Sequence, residues 1–187
     1  MTEHNRYLPS RQQATEYTLF LDRDGVINEP IVDDYARKPE DFVFCAGAID
    51  AIAELRSIFK KIVLVTNQQG VHRGLMSEKD LEDVHLKMYN GLKSKGIRYF
   101  DGILFAPYLK TVNHKWRKPS NGMLLKAKEY FTDIEWSKSI MVGDSPGDMQ
   151  LADSLELIKV RIENPQFSFD NQDYKFKSLA EFIDCLS

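Results

Sequence analysis

YTLFLDRDGVIN, residues 17–28, is the stretch that decides the fold. Tyr17 to Leu21 is a short apolar run rich in β-formers, the pattern of a buried strand. It stops at Asp22-Arg23-Asp24-Gly25. A buried strand that ends in two carboxylates places them at its carboxyl end, where open parallel α/β sheets bind ligands. Residues two apart in extended chain point the same way, so Asp22 and Asp24 can face one site. Neighbouring carboxylates repel unless a cation lies between them, and Mg²⁺ is a hard ion that prefers oxygen ligands. Gly25 admits a turn that a side chain would obstruct. Asp and Gly are also common turn residues, so on this stretch alone a plain strand-to-turn junction stands beside the metal reading.

The rest of the chain narrows the choice. Its 187 residues suffice for one domain with a sizeable core. Charged residues make up 28% and apolar residues 43%, with a net charge of −3. That balance fits a soluble globular protein and disfavours a nucleic-acid backbone as main partner. Cys45 and Cys185 lie far apart and neither belongs to a CxxC pair, so no disulfide framework or thiolate zinc site is readable. Residues 1–16 contain no apolar stretch of a secretory signal and read as a polar, partly ordered arm, with His4 inside it. Residues 17–187 read as a single domain. No apolar run reaches membrane-spanning length. The cytoplasm is the expected location, with no membrane partner and a monomeric state.

Helical and strand patterns alternate along the chain. After the first strand, EPIVDDYARKPEDFVF reads as a loop, closing with a short strand at 42–44. Residues 47–59 place Ala48, Ala51, Ile52, Leu55 and Phe59 on one helical face. KIVLV at 61–65 is a second buried strand, ending in TNQQG. Residues 77–94 read as a helix with Ser77 as N-cap. YFDGILFA at 99–106 is a third strand, 107–118 a polar connection and 120–131 a helix. SIMV at 139–142 is a fourth strand, ending in GDSPGD. A helix at 149–155, a fifth strand at 157–162 and a helix at 179–186 complete the chain. The alternation predicts an α/β fold with a doubly wound parallel sheet.

Three of these strands end in polar clusters: Asp22/Asp24, Thr66/Asn67 and Asp144/Asp148. A parallel sheet brings all three to one edge. A fourth cluster, Arg117-Lys118-Pro119, precedes a helix. Singly, Thr66 is a β-branched strand residue and Lys118 a solvated charge. Asp144 would cap the helix near Pro146, and Asp148 would favour that helix's N-terminus. Together, carboxylates for a metal, a hydroxyl and a cation compose a site for a phosphoryl group.

In order, LDRDGVIN, TNQQGVHRG, RKPSNGMLL and MVGDSPGDMQLA resemble the motifs of the haloacid dehalogenase superfamily of phosphatases, and the resemblance spans about residues 18–186. Within the superfamily they are similar to the branch of histidinol-phosphatases and D,D-heptose 1,7-bisphosphate 7-phosphatases, with the heptose side the nearer likeness. The segments 25–47 and 70–99 are too short for a large cap, so a minimal cap is expected. The resemblance implies a Mg²⁺-dependent phosphatase of a small phosphorylated metabolite that works through an aspartyl-phosphate. Asp22 would be the nucleophile and Asp24 the general acid and base. Asp22, Asp144 and the backbone carbonyl of Asp24 would hold the metal. Thr66 and Lys118 would bind the phosphoryl oxygens, and Asp148 would orient Lys118 or a metal-bound water. Asn67, Gln68, Gln69, Arg73, Arg117 and Lys118 are expected at the substrate. Tyr35 and the Asp33-Asp34 pair fall where the family's substrate-facing loop lies. His72, His85 and His114 read as surface or packing residues.

The chain departs from the branch in one place. Familiar members bind zinc through Cys and His just before the Arg-Lys pair, whereas here APYLKTVNHKWRK offers only His114. Structural zinc takes about four N or S ligands, so no zinc is expected, and Tyr108 and Trp116 are expected to pack the loop down. Two readings of other classes remain at this point. One is a polynucleotide 3′-phosphatase, which shares a similar TNQ-G motif but needs a basic or aromatic groove. The other is a non-catalytic binding protein on the same fold.

Overall fold

A computed structural model describes residues 6–32, 34–97 and 99–186. Asp33, His4 and the first five residues of the expected arm lie outside the described residues. In chain order the elements are α1 (Arg11–Ala14), β1 (Thr18–Leu21), α2 (Ala48–Ile58), β2 (Lys61–Asn67), α3 (Gln69–His72), α4 (Glu78–Lys93), β3 (Gly102–Ala106), α5 (Gly122–Tyr130), β4 (Ser139–Gly143), α6 (Pro146–Asp153), β5 (Ile158–Ile162), β6 (Tyr174–Phe176) and α7 (Leu179–Asp184).

The six strands form one sheet in the order β3-β2-β1-β4-β5-β6, every described pair parallel. The chain winds outward from β1 through β2 to β3, then returns to β4 on the other side of β1 and winds outward again. The order therefore reverses between β1 and β4, which is where such sheets open a crevice at their carboxyl ends. Strand residues alternate between the two faces. Leu19, Leu21, Ile62, Leu64, Ile140 and Val142 pack with α2, α4 and α7 on one side. Phe20, Val63, Val65 and Met141 pack with α5 and α6 on the other. Burial on both faces explains why these strands read as continuous apolar runs.

Most expected elements are present, with shifted ends. Ser77 caps α4 in a reciprocal box with Asp80, an arrangement worth about 1 kcal/mol. Helix α6 begins at Pro146 rather than 149, and Ser145, not Asp144, caps it. The strand expected at 42–44 does not form. A 3₁₀ turn at Pro39–Asp41 redirects the chain, because Asp41 accepts from the backbone N–H groups of Arg37 and Lys38. Only Phe44 then pairs, in a single antiparallel bridge to Asn28, while Phe42 packs edge-on against its ring. Three elements were not expected, among them the single-turn helix α3 directly after β2. The three-residue β6 adds a sixth strand beside β5. Helix α1 forms within the expected arm, capped by Ser10 and Gln13. Residues 6–16 pack on the body: Ala14 is buried, Arg11 donates to the Leu186 carbonyl (3.0 Å), and the Tyr174 hydroxyl accepts from the Leu8 N–H (3.2 Å). No helix among the described residues is long and apolar enough to cross a membrane.

Candidate active site

The ends of β1, β2 and β4 bring the clusters together as the topology requires. Asp22 extends the β1–β4 ladder by one rung, its N–H donating to the Val142 carbonyl (2.9 Å). The chain then turns sharply: Gly25 sits at φ +81°, and a Cβ there would lie 1.9 Å from Oδ2 of Asp144. Gly143 has the same constraint, since its Cβ would lie 2.3 Å from the Asp148 side chain. Both glycines are the space that the carboxylates occupy.

Asp22, Asp144 and Asp148 each turn a carboxylate oxygen to within 4.8 Å of the others, and all three are buried. Lys118 is pinned against two of them. Its Nζ lies 2.8 Å from Oδ1 of Asp22 and 2.7 Å from Oδ1 of Asp148, and donates to the Val65 carbonyl at 2.9 Å. Two ion pairs and one hydrogen bond hold the ammonium in place. Burial disfavours the Lys118 charge, but Asp148 and Asp22 outweigh it and raise its pKa. One ammonium does not balance three carboxylates. Burial, against the pull of Lys118 and with the repulsion of Asp148 and Asp144, raises the Asp22 pKa well above the usual range. Burial and then Asp148 push Asp144 up to about 7, although Asn164 donates to its Oδ2 (2.6 Å). Three buried carboxylates around one ammonium form an oxygen-rich site with excess negative charge, which a hard divalent cation fits.

Asp24 occupies a different setting. Nη2 of Arg23 reaches both its oxygens at 3.0 Å, Asn28 donates to Oδ1 (3.0 Å) and Gln68 to Oδ2 (2.8 Å). Burial alone would raise its pKa, but Arg23, Asn28 and Gln68 bring it below the usual value. Arg23 is fully buried, and its Nη1 lies 3.3 Å from Nε2 of His85. Burial and then the Arg23 charge lower the His85 pKa to about 3, so at neutral pH His85 is an uncharged acceptor.

Asp22, Asp24, Thr66, Asn67, Lys118, Asp144 and Tyr35 line one cleft of about 190 Å³. Asn67, Lys110, Arg117, Lys118 and the start of α6 line a second of about 480 Å³. Phe167 lines both. Several expected substrate contacts are placed otherwise. Gln68 is buried, with its amide on Asp24 and on the Thr66 hydroxyl (2.9 Å), so it holds the site rather than reaching a ligand. Asn67 bonds both backbone groups of Lys118, at 3.1 and 3.0 Å, and so fastens the Arg-Lys loop to β2. Gln69 donates to the Tyr35 hydroxyl (2.6 Å). Arg73 lies exposed just past α3 and lines neither cleft. Arg117 is half-buried and donates to the Tyr108 carbonyl (3.1 Å). Asp148 lies beside Lys118 while its Oδ2 accepts from the Ser145 N–H and hydroxyl. In the loop before Arg117, His114 stacks on Tyr108 with 3.4 Å between ring centroids, and Trp116 packs on the core of the α5–α6 face. Asn28, Asn164, His85 and Phe167 were not expected as parts of the site. Asn28 stood within the quoted motif, but nothing local marks the other three.

A family model described as polynucleotide kinase 3 phosphatase matches residues 19–182. A D-glycero-alpha-D-manno-heptose-1,7-bisphosphate 7-phosphatase of Mycobacterium bovis is 41% identical over 171 residues, which cover 89% of this chain and 90% of that protein. A D-glycero-beta-D-manno-heptose-1,7-bisphosphate 7-phosphatase of Helicobacter pylori is 34% identical over 169 residues, covering 86% and 95%. Among solved structures, the D,D-heptose 1,7-bisphosphate phosphatase of B. bronchiseptica, complexed with magnesium and phosphate, superimposes with a TM-score of 0.82 at 28% identity, covering 91% of this chain and 97% of that one.

Proposed function

The chain belongs to the haloacid dehalogenase superfamily of phosphatases, in its histidinol-phosphatase and heptose-bisphosphate phosphatase branch, and from that premise we propose that it removes the 7-phosphate of D-glycero-D-manno-heptose 1,7-bisphosphate. The observation that carries the reading is Lys118, held between Asp22 and Asp148 in a cleft that also contains Asp24, Thr66 and Asp144.

The Asp22 carboxylate attacks phosphorus and forms an aspartyl-phosphate, splitting hydrolysis into two displacements. Asp24, whose side chain is one-third exposed toward the cleft, gives a proton to the departing alkoxide and later takes one from the attacking water. Arg23, Asn28 and Gln68 hold it ionised, so before it can give that proton it exchanges at least one of these contacts and takes a proton up from solvent. Lys118 supplies fixed positive charge for the equatorial oxygens, and Thr66 presents its hydroxyl. Asn67 and Gln68 are positioning residues for Lys118 and Asp24. Arg117 and Tyr35 face the non-reacting part of the substrate. Asp22, Asp144 and the Asp24 carbonyl, with Asp148 close by, would hold Mg²⁺, which would supply positive charge where an anionic nucleophile meets an anionic ester. Zinc has no part in this reading, because the loop before Arg117 offers His114 and no cysteine. A cytoplasmic monomer is the proposed state.

The name of the matching family model favours one second reading, a 3′-phosphatase of nucleic acid. A net charge of −3 and the small cleft offer little to a polyanionic strand. Phosphate release from both anomers of the heptose bisphosphate, histidinol phosphate and a 3′-phosphorylated oligonucleotide, each with Mg²⁺, tests the proposal. We expect a kcat/KM for one heptose anomer well above the rest. Preference for histidinol phosphate or for the oligonucleotide would overturn it.

A further inference from the structure

We propose that Phe167 is a specificity-determining residue, the apolar platform on which the sugar rests as it passes from the phosphoryl cleft into the neighbouring one. The inference rests on the sugar-phosphate reading above.

The loop after β5 carries two aromatic rings with different settings. Phe169 is used by the protein: the Arg161 guanidinium lies 3.8 Å from its ring centroid. Phe167 is 37% exposed and lines both the cleft that contains Asp22, Asp24 and Lys118 and the cleft that contains Arg117 and Lys110. A substrate whose phosphate meets Asp22 and whose remainder extends toward Arg117 crosses the junction of the two clefts, which Asn67, Lys118, Ser145 and Phe167 share, and of these only Phe167 offers an apolar ring.

Its position is set from two sides. Buried Arg161 donates to the Phe167 carbonyl (2.7 Å) and to the Phe169 carbonyl. Asn164 starts a turn in which its carbonyl accepts from the Phe167 N–H (3.1 Å) and its Oδ1 from the Gln166 N–H (2.9 Å). The same Asn164 side chain donates to Asp144. One short turn thus ties Phe167 to a carboxylate of the proposed metal site. An apolar ring on an anchored backbone, set among a few polar groups, is how small-molecule sites fix the less polar part of a ligand. Sugars and polyols present such a part, the C–H face opposite their hydroxyls.

The test compares Phe167→Ala and Phe167→Tyr with the native protein on two substrates. One is D-glycero-D-manno-heptose 1,7-bisphosphate. The other is acetyl phosphate, whose leaving group has no sugar face to rest on the ring. Phe167→Ala should raise KM for the heptose ester by about 3- to 10-fold, the worth of an aromatic contact, with kcat held within about twofold. Phe167→Tyr should restore the native KM. Acetyl phosphate kcat/KM should be the same in all three. An unchanged heptose KM in Phe167→Ala, or an equal loss on acetyl phosphate, overturns the role of Phe167 alone. Native turnover of acetyl phosphate without turnover of the heptose ester overturns the substrate reading, and this inference with it.

Discussion

Asp22 and Asp24 stand two residues apart at the end of one strand, and their surroundings push them in opposite directions. Desolvation pushes both upward, although Asp24 is the more open, with one-third of its side chain exposed against one-tenth for Asp22, so the opposite directions come from their partners. Asp22 shares a single ammonium with Asp148, faces Asp144, and has its pKa raised. Asp24 accepts from Arg23, Asn28 and Gln68, and has its pKa lowered. The first setting is short of positive charge and the second is closed by protein donors. Paired carboxylates with opposed environments are how one site divides roles. The incomplete side suits a nucleophile that shares a cation with its neighbours. The complete side suits a group kept ionised until substrate disturbs its contacts.

Removing the Asp22 carboxylate should have the largest effect. Asp22→Asn is nearly isosteric but a poor nucleophile and a weaker metal ligand, so turnover should fall by at least about 10⁴-fold with the fold intact by circular dichroism. Appreciable residual activity in the purified variant would sink the covalent role. Asp24→Asn should cost about 10²- to 10⁴-fold on a sugar phosphate, whose alkoxide leaves badly. On an aryl phosphate the first step needs less acid help, so the loss should be smaller and one phosphoryl group should accumulate on Asp22, visible by rapid quench and mass measurement. Equal losses on both substrates without an adduct would assign Asp24 to the metal or the fold.

This division was half legible in the sequence. The clusters at the ends of β1, β2 and β4 are readable because apolar runs stop abruptly at polar residues, and parallel topology alone then gathers them. The donors around Asp24 are harder to read. Arg23 points away from the cleft and meets His85, 62 residues further on. Gln68, next to Thr66 in the motif, reads as a ligand contact, yet its side chain turns inward. Asn164 sits in a loop with no pattern, and its bond to Asp144 spans 20 residues. Strand β6 is too short for periodicity to show. Helix α1 carried a readable signal, the Ser10–Gln13 box, masked by polar neighbours.

The charge shortage around Asp22 predicts a gain in stability with Mg²⁺. At about 100 times its Kd the ion should add about 2.7 kcal/mol, read as a rise in Tm. Asp144→Asn should abolish most of that rise. Without the ion, at pH 8, the variant should be more stable than the native chain, because the raised Asp144 pKa of about 7 means that its charge opposes folding once ionised. A zinc-selective chelator should change neither Tm nor activity. Stoichiometric zinc in the purified protein, with unfolding on its removal, would show that the loop before Arg117 depends on metal. An equal Mg²⁺ shift in native and Asp144→Asn proteins would place the ion elsewhere.

The smallest effect concerns the complete side and arises one residue behind Asp24. His85 offers Nε2 to Arg23, which leaves the Arg23 charge directed at Asp24. With a folded pKa near 3 against an ordinary 6.5, His85 stays neutral in the folded chain while the unfolded chain takes up a proton. Stability therefore declines as pH falls through 6.5 and goes on declining toward 3, by at most about 1.4 kcal/mol per pH unit from this group. Titrating carboxylates share that window, so the readout is the difference between the native chain and His85→Gln. The amide oxygen keeps an acceptor near Arg23 but takes up no proton. Above pH 7.5 the two urea-unfolding free energies should run parallel, and between pH 6.5 and 4.5 the native chain should lose more with each step. Parallel curves across the whole range would mean that folded His85 takes up its proton as readily as the unfolded chain, and that neither burial nor the Arg23 contact keeps it neutral.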